Sequence, residues 1–172
     1  NFSITTNGTT PISYQWYDDN GAISGALNNS YTINSVSTSD DGDYYCIATN
    51  TCGSSQSNNI NLNIESAPAI TTHPSSATKC EGESVQLTVS NSGTAPFTYQ
   101  WYYAGNAING ATKNSYLRSP VSTNDGGTYY CEVSNSCGSV NSNSATLTVD
   151  SAVSITSITT STTICSGSSQ SL

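Results

Sequence analysis

The chain has very few basic residues: three lysines and arginines stand against eleven aspartates and glutamates in 172 residues, and the net charge is −8. Both a phosphate backbone and an anionic membrane surface repel such a chain, so we expect neither nucleic acid nor direct membrane insertion among its interactions. Charged residues of both signs make up only 8% of the chain. That fraction is unusual for a cytosolic protein and favours an extracellular setting.

The chain also lacks the residues from which most catalytic and metal sites are built. It has one histidine, His73, which we expect at a surface or edge position, and no Cys-x-x-Cys pair. We therefore predict neither an enzyme nor a metal or other cofactor. Residues 18–20 and 40–43 could offer oxygen ligands to Ca²⁺, but turns favour Asp, Asn and Gly for backbone reasons alone. With no methionine and no apolar run long enough to span a bilayer, we expect an internal piece of a longer protein.

What the chain does contain is a repeat with a constant offset of 85 residues. The recurring residues are Trp16 as Trp101, Cys46 as Cys131, Cys52 as Cys137 and Cys80 as Cys165. A constant offset indicates one module copied in tandem. Short segments with period-2 alternation, separated by Gly, Asn, Asp and Ser clusters, predict an all-β fold of antiparallel sandwiches. In the second copy the predicted strands are 69–72, 84–90, 98–103, 115–118, 128–134 and 145–149.

Two motifs carry a family resemblance. The segment Tyr-Gln-Trp-Tyr at 99–102, followed by Asp-x-Gly-x-Tyr-x-Cys at 125–131, resembles strand C and the E–F corner with strand F of an immunoglobulin-like domain, and the first copy repeats both motifs at 14–17 and 40–46. The resemblance covers nearly the whole chain. It implies tandem immunoglobulin-like antiparallel β-sandwiches: a first domain without strand A at 1–65, a complete domain at 66–150, and the strand A region of a following repeat at 151–172. The implied core signature is Trp16, Tyr44, Cys46, Trp101, Tyr129 and Cys131, with the two tyrosines as tyrosine corners.

Further short motifs narrow the resemblance. Asn-x-Cys-Gly-Ser after strand F and Cys-Glu-Gly before strand B are similar to immunoglobulin-like repeats of large surface proteins of Bacteroidetes-type bacteria. This implies a stalk or fibre segment of a bacterial cell-surface or secreted adhesin, whose partners are neighbouring repeats or a sister filament. Two alternatives stay open: a module that binds a glycan or protein, and a filament subunit that donates residues 151–172 as a strand. Ser151, in Asp-Ser-Ala, is a candidate for O-glycosylation.

The cysteines depart from the family pattern. Strand B carries Ile4 and Val89 where the family has a cysteine, so we expect the two strand F cysteines to be buried free thiols. The family topology puts Cys80 at the turn before strand B and Cys137 at the opposite end, roughly 20 Å or more away, whereas a disulfide tolerates about 4.4–6.8 Å between Cα atoms. We therefore predict inter-repeat disulfides in a head-to-tail array, through Cys52, Cys80, Cys137 and Cys165. Bridges Cys46–Cys52 and Cys131–Cys137 are the open alternative.

Outward-facing tyrosines form the candidate binding face. Alternation along the neighbouring strands C and F turns four of them to the outside: Tyr17, Tyr45, Tyr102 and Tyr130. One interpretation is a cross-strand pair that covers the sheet, worth about 0.2–1 kcal/mol. The other is a tyrosine platform for a glycan or a protein. Arg118 stands where the first copy has Ile33, and we expect it to extend from the sandwich edge.

Overall fold

The computed structural model describes residues 1–157. Over these residues the chain forms 17 strands and two short 3₁₀ turns, which confirms the all-β prediction. The chain divides into two compact units. The first comprises Asn1–Ala69 with Ser92–Phe97 and Ser134–Val140, and the second comprises Ile70–Asn91, Thr98–Val133 and the chain from Asn141 onward. The domain boundaries expected from the repeat stay a prediction.

The first copy builds one main sheet. Its strands are β1 (Phe2–Ser3), β2 (Ser13–Asp18), β3 (Gly21–Ala22), β4 (Ser30–Tyr31), β5 (Gly42–Asn50), β6 (Gly53–Gln56) and β7 (Ile60–Leu62). The sheet has the order β3-β2-β5-β6, β7 also pairs with β5, and β1 pairs with β4. The register of β2 on β5 places Trp16 opposite Cys46. Both side chains are fully buried, with Phe2, Ile4 and other partly buried side chains packed against them.

The second copy builds a longer main sheet and two short strand pairs. Its strands are β8 (Ala69–Thr72), β9 (Ala77–Cys80), β10 (Val85–Thr88), β11 (Ser90–Ser92), β12 (Thr98–Tyr103), β13 (Asn106–Ala107), β14 (Ser115–Arg118), β15 (Gly127–Asn135), β16 (Gly138–Asn141) and β17 (Ala145–Asp150). The main sheet has the order β13-β12-β15-β17-β9, with β16 beside β15, while β10 pairs with β14 and β8 with β11.

Strict alternation explains these strands. In β15 every second side chain is buried, at Tyr129, Cys131 and Val133. In β10 the buried side chains are Val85 and Leu87. Since side chains of a strand alternate between its faces, β10 and β15 each have one buried, apolar face and one more exposed face. The buried residues of the second copy include the fully buried Trp101.

The structure corrects two details of the predicted strands. The strand expected at 84–90 is divided into β10 and β11 at Val89, whose N–H donates to the Asn114 carbonyl at 2.9 Å. Cys80 does not lie in a turn, because it is the last residue of β9, an unpredicted strand that pairs in parallel with β17. The segment Ala-Thr-Lys-Cys has no alternating large apolar residues, so its strand conformation depends on β17 rather than on its own sequence.

Candidate functional site

Each core tryptophan is held at both its ring and its indole nitrogen. Trp16 and Trp101 are 0% exposed, and their Nε1–H groups donate to the Asn28 and Lys113 carbonyls at 2.9 Å. Burying the indole therefore leaves no donor without an acceptor. The same indole-to-carbonyl hydrogen bond therefore occurs in both copies, 85 residues apart.

The strand F cysteines are buried thiols. Cys46 and Cys131 are 0% exposed and free. Val89, on the strand B side of the second copy, is also buried. Burial raises the pKa of both thiols, that of Cys131 to about 11. A buried thiol with a raised pKa is a poor nucleophile, so these residues serve packing rather than chemistry.

The tyrosine corners close onto their own chain. The hydroxyl of Tyr44 donates to the Asp40 carbonyl at 2.8 Å, and that of Tyr129 donates to the Asp125 carbonyl at 2.7 Å. Both tyrosines are buried. Burial raises the pKa of Tyr129 to about 12.

A serine–aspartate pair that we did not predict supports each corner. In the second copy, the backbone N–H and the hydroxyl of Ser122 donate to the Asp125 carboxylate at 2.7 and 2.8 Å. Ser37 and Asp40 make the same bonds at 2.8 and 2.9 Å. The sequence signal was available, because a serine followed three residues later by an acidic residue is the pattern of a capping box.

Arg118 adds an ion pair to the second corner. It lies opposite Val85 in the β10–β14 register, is exposed, and its guanidinium lies 2.8 Å from an Asp125 carboxylate oxygen. Burial acts to raise the pKa of Asp125, but the bonds from Ser122 and Arg118 outweigh burial and hold this pKa below its usual range. The expectation that Arg118 extends from the edge agrees with this position.

Three acidic residues that were considered as Ca²⁺ ligands accept hydrogen bonds from the chain itself. Asp18 accepts the Asn20 N–H at 2.8 Å, and Asp19 accepts the Asp43 N–H at 3.2 Å. The side-chain amides of Asn61 and Asn59 donate to Asp43 and lower its pKa. Within residues 1–157 no group of three or more His, Cys, Asp and Glu side chains has the geometry of a metal site.

His73 lies at a surface position, as expected. His73 is exposed, and its Nδ1 accepts the Asn143 N–H at 3.0 Å. This is a structural bond at the edge of the second copy. Among the described residues, no helix has the length and apolar character needed to cross a membrane.

The outward tyrosines stack in pairs. The rings of Tyr17 and Tyr45 lie 4.9 Å apart with an interplanar angle of 2°, and those of Tyr102 and Tyr130 lie 4.7 Å apart with an angle of 3°. All four side chains are half-buried. The Tyr102 hydroxyl donates to Glu132 at 2.9 Å, which raises the tyrosine pKa. The pairs therefore form as the alternation predicted, and each ring face covers its partner.

Three further cysteines, Cys52, Cys80 and Cys137, are exposed and free. The structure therefore contains neither a Cys46–Cys52 nor a Cys131–Cys137 bridge, and the inter-repeat pairing stays a prediction. Cys165 lies outside the described residues, as does most of the segment 151–172 considered for strand donation. Ser151 is exposed and irregular, and its glycosylation stays a prediction.

Comparison with known proteins places this geometry in a family. The immunoglobulin domain family matches residues 3–64 and again residues 67–149. The basement membrane-specific heparan sulfate proteoglycan core protein of Mus musculus is 37% identical over 114 residues, which is 64% of this chain and 3% of that protein. Neuroglian of Drosophila melanogaster is 32% identical over 136 residues, which is 73% of this chain and 10% of that protein.

Solved structures agree on the fold. The titin I-band fragment I67–I69 superposes with a TM-score of 0.66 at 24% identity, covering 84% of this chain and 57% of the fragment. At this identity the likeness concerns the fold alone. The chain spans 10% or less of the length of the two curated relatives.

Proposed function

The chain belongs to the immunoglobulin domain family, and on that premise we propose that it is a load-bearing repeat segment of an extracellular adhesion-type protein. It is a structural module and not an enzyme. The extracellular assignment is supported by the low charge of the sequence and by the relatives, one of which is named for the basement membrane.

The pairing of β9 with β17, the last strand of the second copy, supports the load-bearing role. The strands β9 and β17 are parallel over four residue pairs, from Ala77–Leu147 to Cys80–Asp150. The Thr146 N–H donates to the Ser76 hydroxyl at 2.9 Å beside this ladder. A pull on the two ends of the copy draws parallel strands past each other, so their hydrogen bonds are loaded together rather than one at a time.

Pulling the chain from its two ends in a force spectrometer tests this. In the described residues, β7 pairs with β5 and has no parallel partner, so the first copy is an internal reference. We expect two unfolding events, with the second copy opening at the higher force. The chain should also lengthen more when the second copy unfolds, because each released residue adds about 3.3–3.6 Å and the family match covers more residues in this copy, 67–149 against 3–64.

A variant pair sharpens the experiment. Thr78 is an exposed residue in β9, so Thr78→Pro disturbs the ladder without touching the core. Thr78→Ala is the matched control. We expect the proline to lower the force of the second event and the alanine to leave it unchanged. Equal forces for both copies, or no effect of the proline, would contradict the load-bearing role.

A narrower proposal is a stalk or fibre of a Bacteroidetes-type surface adhesin. Its support is in the sequence, in the repeated Asn-x-Cys-Gly-Ser and the scarcity of lysine. The curated relatives described above are animal proteins and support only the broader assignment. Identifying the genome that encodes the chain tests the bacterial assignment, and mass measurement of the native protein tests a glycan on Ser151.

A second candidate function is the binding of a glycan or protein on the tyrosine face. The observation that favours it is the recurrence of a half-buried stacked pair in both copies. A double variant, Tyr102→Ser with Tyr130→Ser, should then abolish binding to a glycan array or to a cell surface. If the pairs only cover the sheet, the variant binds as the wild type does.

A further inference from the structure

Two cysteine positions outside the core signature recur in the sequence. One, which we call the turn cysteine, is Cys52 and Cys137; the other, which we call the edge cysteine after the position of Cys80 in β9, is Cys80 and, by the repeat offset, Cys165. The three that the structure describes are exposed and free. Solvent-exposed thiols at fixed repeat positions contribute nothing to a core, so their recurrence needs another explanation.

The edge cysteine lies beside the end of its own copy. Cys80 pairs with Asp150, the last residue of β17, in the parallel β9–β17 ladder. The next residue, Glu81, donates its N–H to the Asp150 carbonyl at 2.9 Å. Adjacent strands are about 4.8 Å apart, so the edge cysteine is a near neighbour of the last strand residue.

The turn cysteine lies beside the corresponding residue of the preceding copy. The Cys137 Sγ is 3.9 Å from a Glu65 carboxylate oxygen, and the neighbouring Ser136 hydroxyl also donates to that carboxylate. These three residues belong to the same compact unit. Glu65 precedes Asp150 by the repeat offset, so it holds in the first copy the position that Asp150 holds in the second.

The Asn135 side chain fixes this arrangement. The Asn135 side-chain amide donates to the Ser66 carbonyl at 2.7 Å and to the Thr94 carbonyl at 2.8 Å. The Asn135 Oδ1 in turn accepts the Cys137 N–H at 2.9 Å. The turn that carries Cys137 is therefore tied to the chain segment that directly follows Glu65.

The two kinds of cysteine thus approach one common position of the repeat, which Glu65 occupies in the first copy and Asp150 in the second. We propose that in the array each edge cysteine forms a disulfide with the turn cysteine of the following copy. Cys80 pairs with the cysteine one repeat beyond Cys137, and Cys137 pairs with the cysteine one repeat before Cys80. This inference rests on the proposed array of consecutive copies.

Within the second copy, neither Cys131 nor Cys80 is placed to form a disulfide with Cys137. Cys131 is 0% exposed in the core, while Cys137 lies in an exposed turn. Gly127 pairs with Leu147 near the Cys80 end of the sheet, and Cys137 follows the far end of β15. Nine residues at about 3.3 Å each separate these ends by well over 20 Å, which exceeds the span of a disulfide.

Formation of the bond is an oxidation. Two S–H bonds break and one S–S bond forms, releasing two protons and two electrons. A disulfide oxidant accepts the electrons, either oxidised glutathione or the disulfide of a thiol–disulfide oxidoreductase, and becomes the corresponding pair of thiols. An extracellular setting provides such conditions.

The test extends this chain by one edge cysteine. Asn1 aligns with Gln86, so a copy of residues 66–85 joined ahead of Asn1 supplies the edge cysteine expected to pair with Cys137. The extended chain is oxidised with glutathione, its free thiols are blocked, and it is digested without reduction. Chymotrypsin and a glutamate-specific protease are used together, since cleavage after Glu132 separates Cys131 from Cys137.

We expect a linked peptide pair that joins the added cysteine to Cys137, with Cys80 alkylated. Cys137→Ser should remove the linked pair, and the matched variant Cys52→Ser should leave it. Circular dichroism and tryptophan fluorescence verify that each variant is folded. A Cys131–Cys137 link, or an alkylated Cys137 in the folded wild-type extended chain, overturns the proposal. The pulling experiment uses the chain without the extension, so its outcome is independent of this bond.

Discussion

Removal of the tyrosine-corner hydroxyl tests whether each copy depends on its own corner. Tyr129→Phe deletes a donor that reaches the Asp125 carbonyl at 2.7 Å, in a side chain that is 3% exposed. Tyr44→Phe is the matched change in the first copy, where the bond to Asp40 is 2.8 Å. Phenylalanine keeps the ring, so the loss is that of the hydrogen bond.

The expected cost follows from the acceptor left behind. A buried carbonyl without a partner costs about 1–3 kcal/mol. A loss of about 2 kcal/mol lowers the urea midpoint of a small domain by about 1 M. We expect Tyr129→Phe to lower the midpoint of the second copy by about this amount and to leave the first copy unchanged.

The two buried thiols report each copy separately. Cys46 and Cys131 are 0% exposed, so a short alkylation pulse modifies each of them only when its own copy unfolds. Mass spectrometry across a urea series then gives one midpoint per copy. The reasoning is wrong if Tyr129→Phe shifts both midpoints equally or shifts the Cys131 midpoint by less than about 0.3 M.

Alkaline pH gives the same prediction a second test. Burial raises the pKa of Tyr129 from 10.0 to about 12, so its contribution to stability is complete below pH 10 and is lost as the pH rises towards 12. In this window the free energy of unfolding falls by at most about 1.4 kcal/mol per pH unit. Tyr129→Phe should make this decline shallower, and an unchanged decline would refute the assignment.

Two further changes probe the same corner. Arg118→Ile, which installs the first-copy residue, should cost the second copy up to about 1 kcal/mol at pH 7, as measured by urea unfolding followed by fluorescence. Because the pKa of Asp125 is lowered in the folded chain, this cost is present at neutral pH and is lost as the pH falls through the lowered pKa. Gly127 has a φ of +153°, and a Cβ there would lie 2.7 Å from a Tyr103 ring carbon. Gly127→Ala should therefore lower the free energy of unfolding of the second copy by about 1–3 kcal/mol in the same assay. A neutral effect would show that the Tyr103 ring moves aside.

Period-2 alternation correctly predicted the strands whose own sequence contains large apolar or aromatic residues. The expected strand 98–103 matches β12, and that at 128–134 matches β15 to within one residue at each end. Strand β15 buries Tyr129, Cys131 and Val133 at every second position, and β12 buries Trp101. The strand β9 was not predicted, because its segment is short of large apolar residues and its partner β17 is far along the chain. Only the tertiary pairing makes β9 a strand.

The sequence likewise predicted some contacts of the candidate site and missed others. The stacking of Tyr102 on Tyr130 follows from alternation on neighbouring strands and was expected. The bond from Tyr102 to Glu132 was not, since the first copy has Ile47 at the position of Glu132. The Arg118–Asp125 ion pair required the register of β14 against the E–F corner, which no local pattern encodes.

Beyond the serine–aspartate pair that they share, the two copies support the corner with different residues. In the first copy, Asp19 accepts the N–H of Asp43. In the second, the Tyr103 hydroxyl lies 2.9 Å from both the Asn124 and the Gly126 carbonyl oxygens and shares its one proton between them. Residues that serve one copy are thus free to change while the fold is kept.

The cysteines outside the core, in contrast, are kept at the repeat offset. Cys80 recurs as Cys165 and Cys52 recurs as Cys137, although the described members are exposed and outside the core. A position that recurs without serving the core of its own copy is explained by a contact that crosses to another copy. Cys137 approaches Glu65, which belongs to the preceding copy, and Cys80 lies beside Asp150, the equivalent residue of its own copy. For this reason we expect the disulfide between consecutive copies rather than within one.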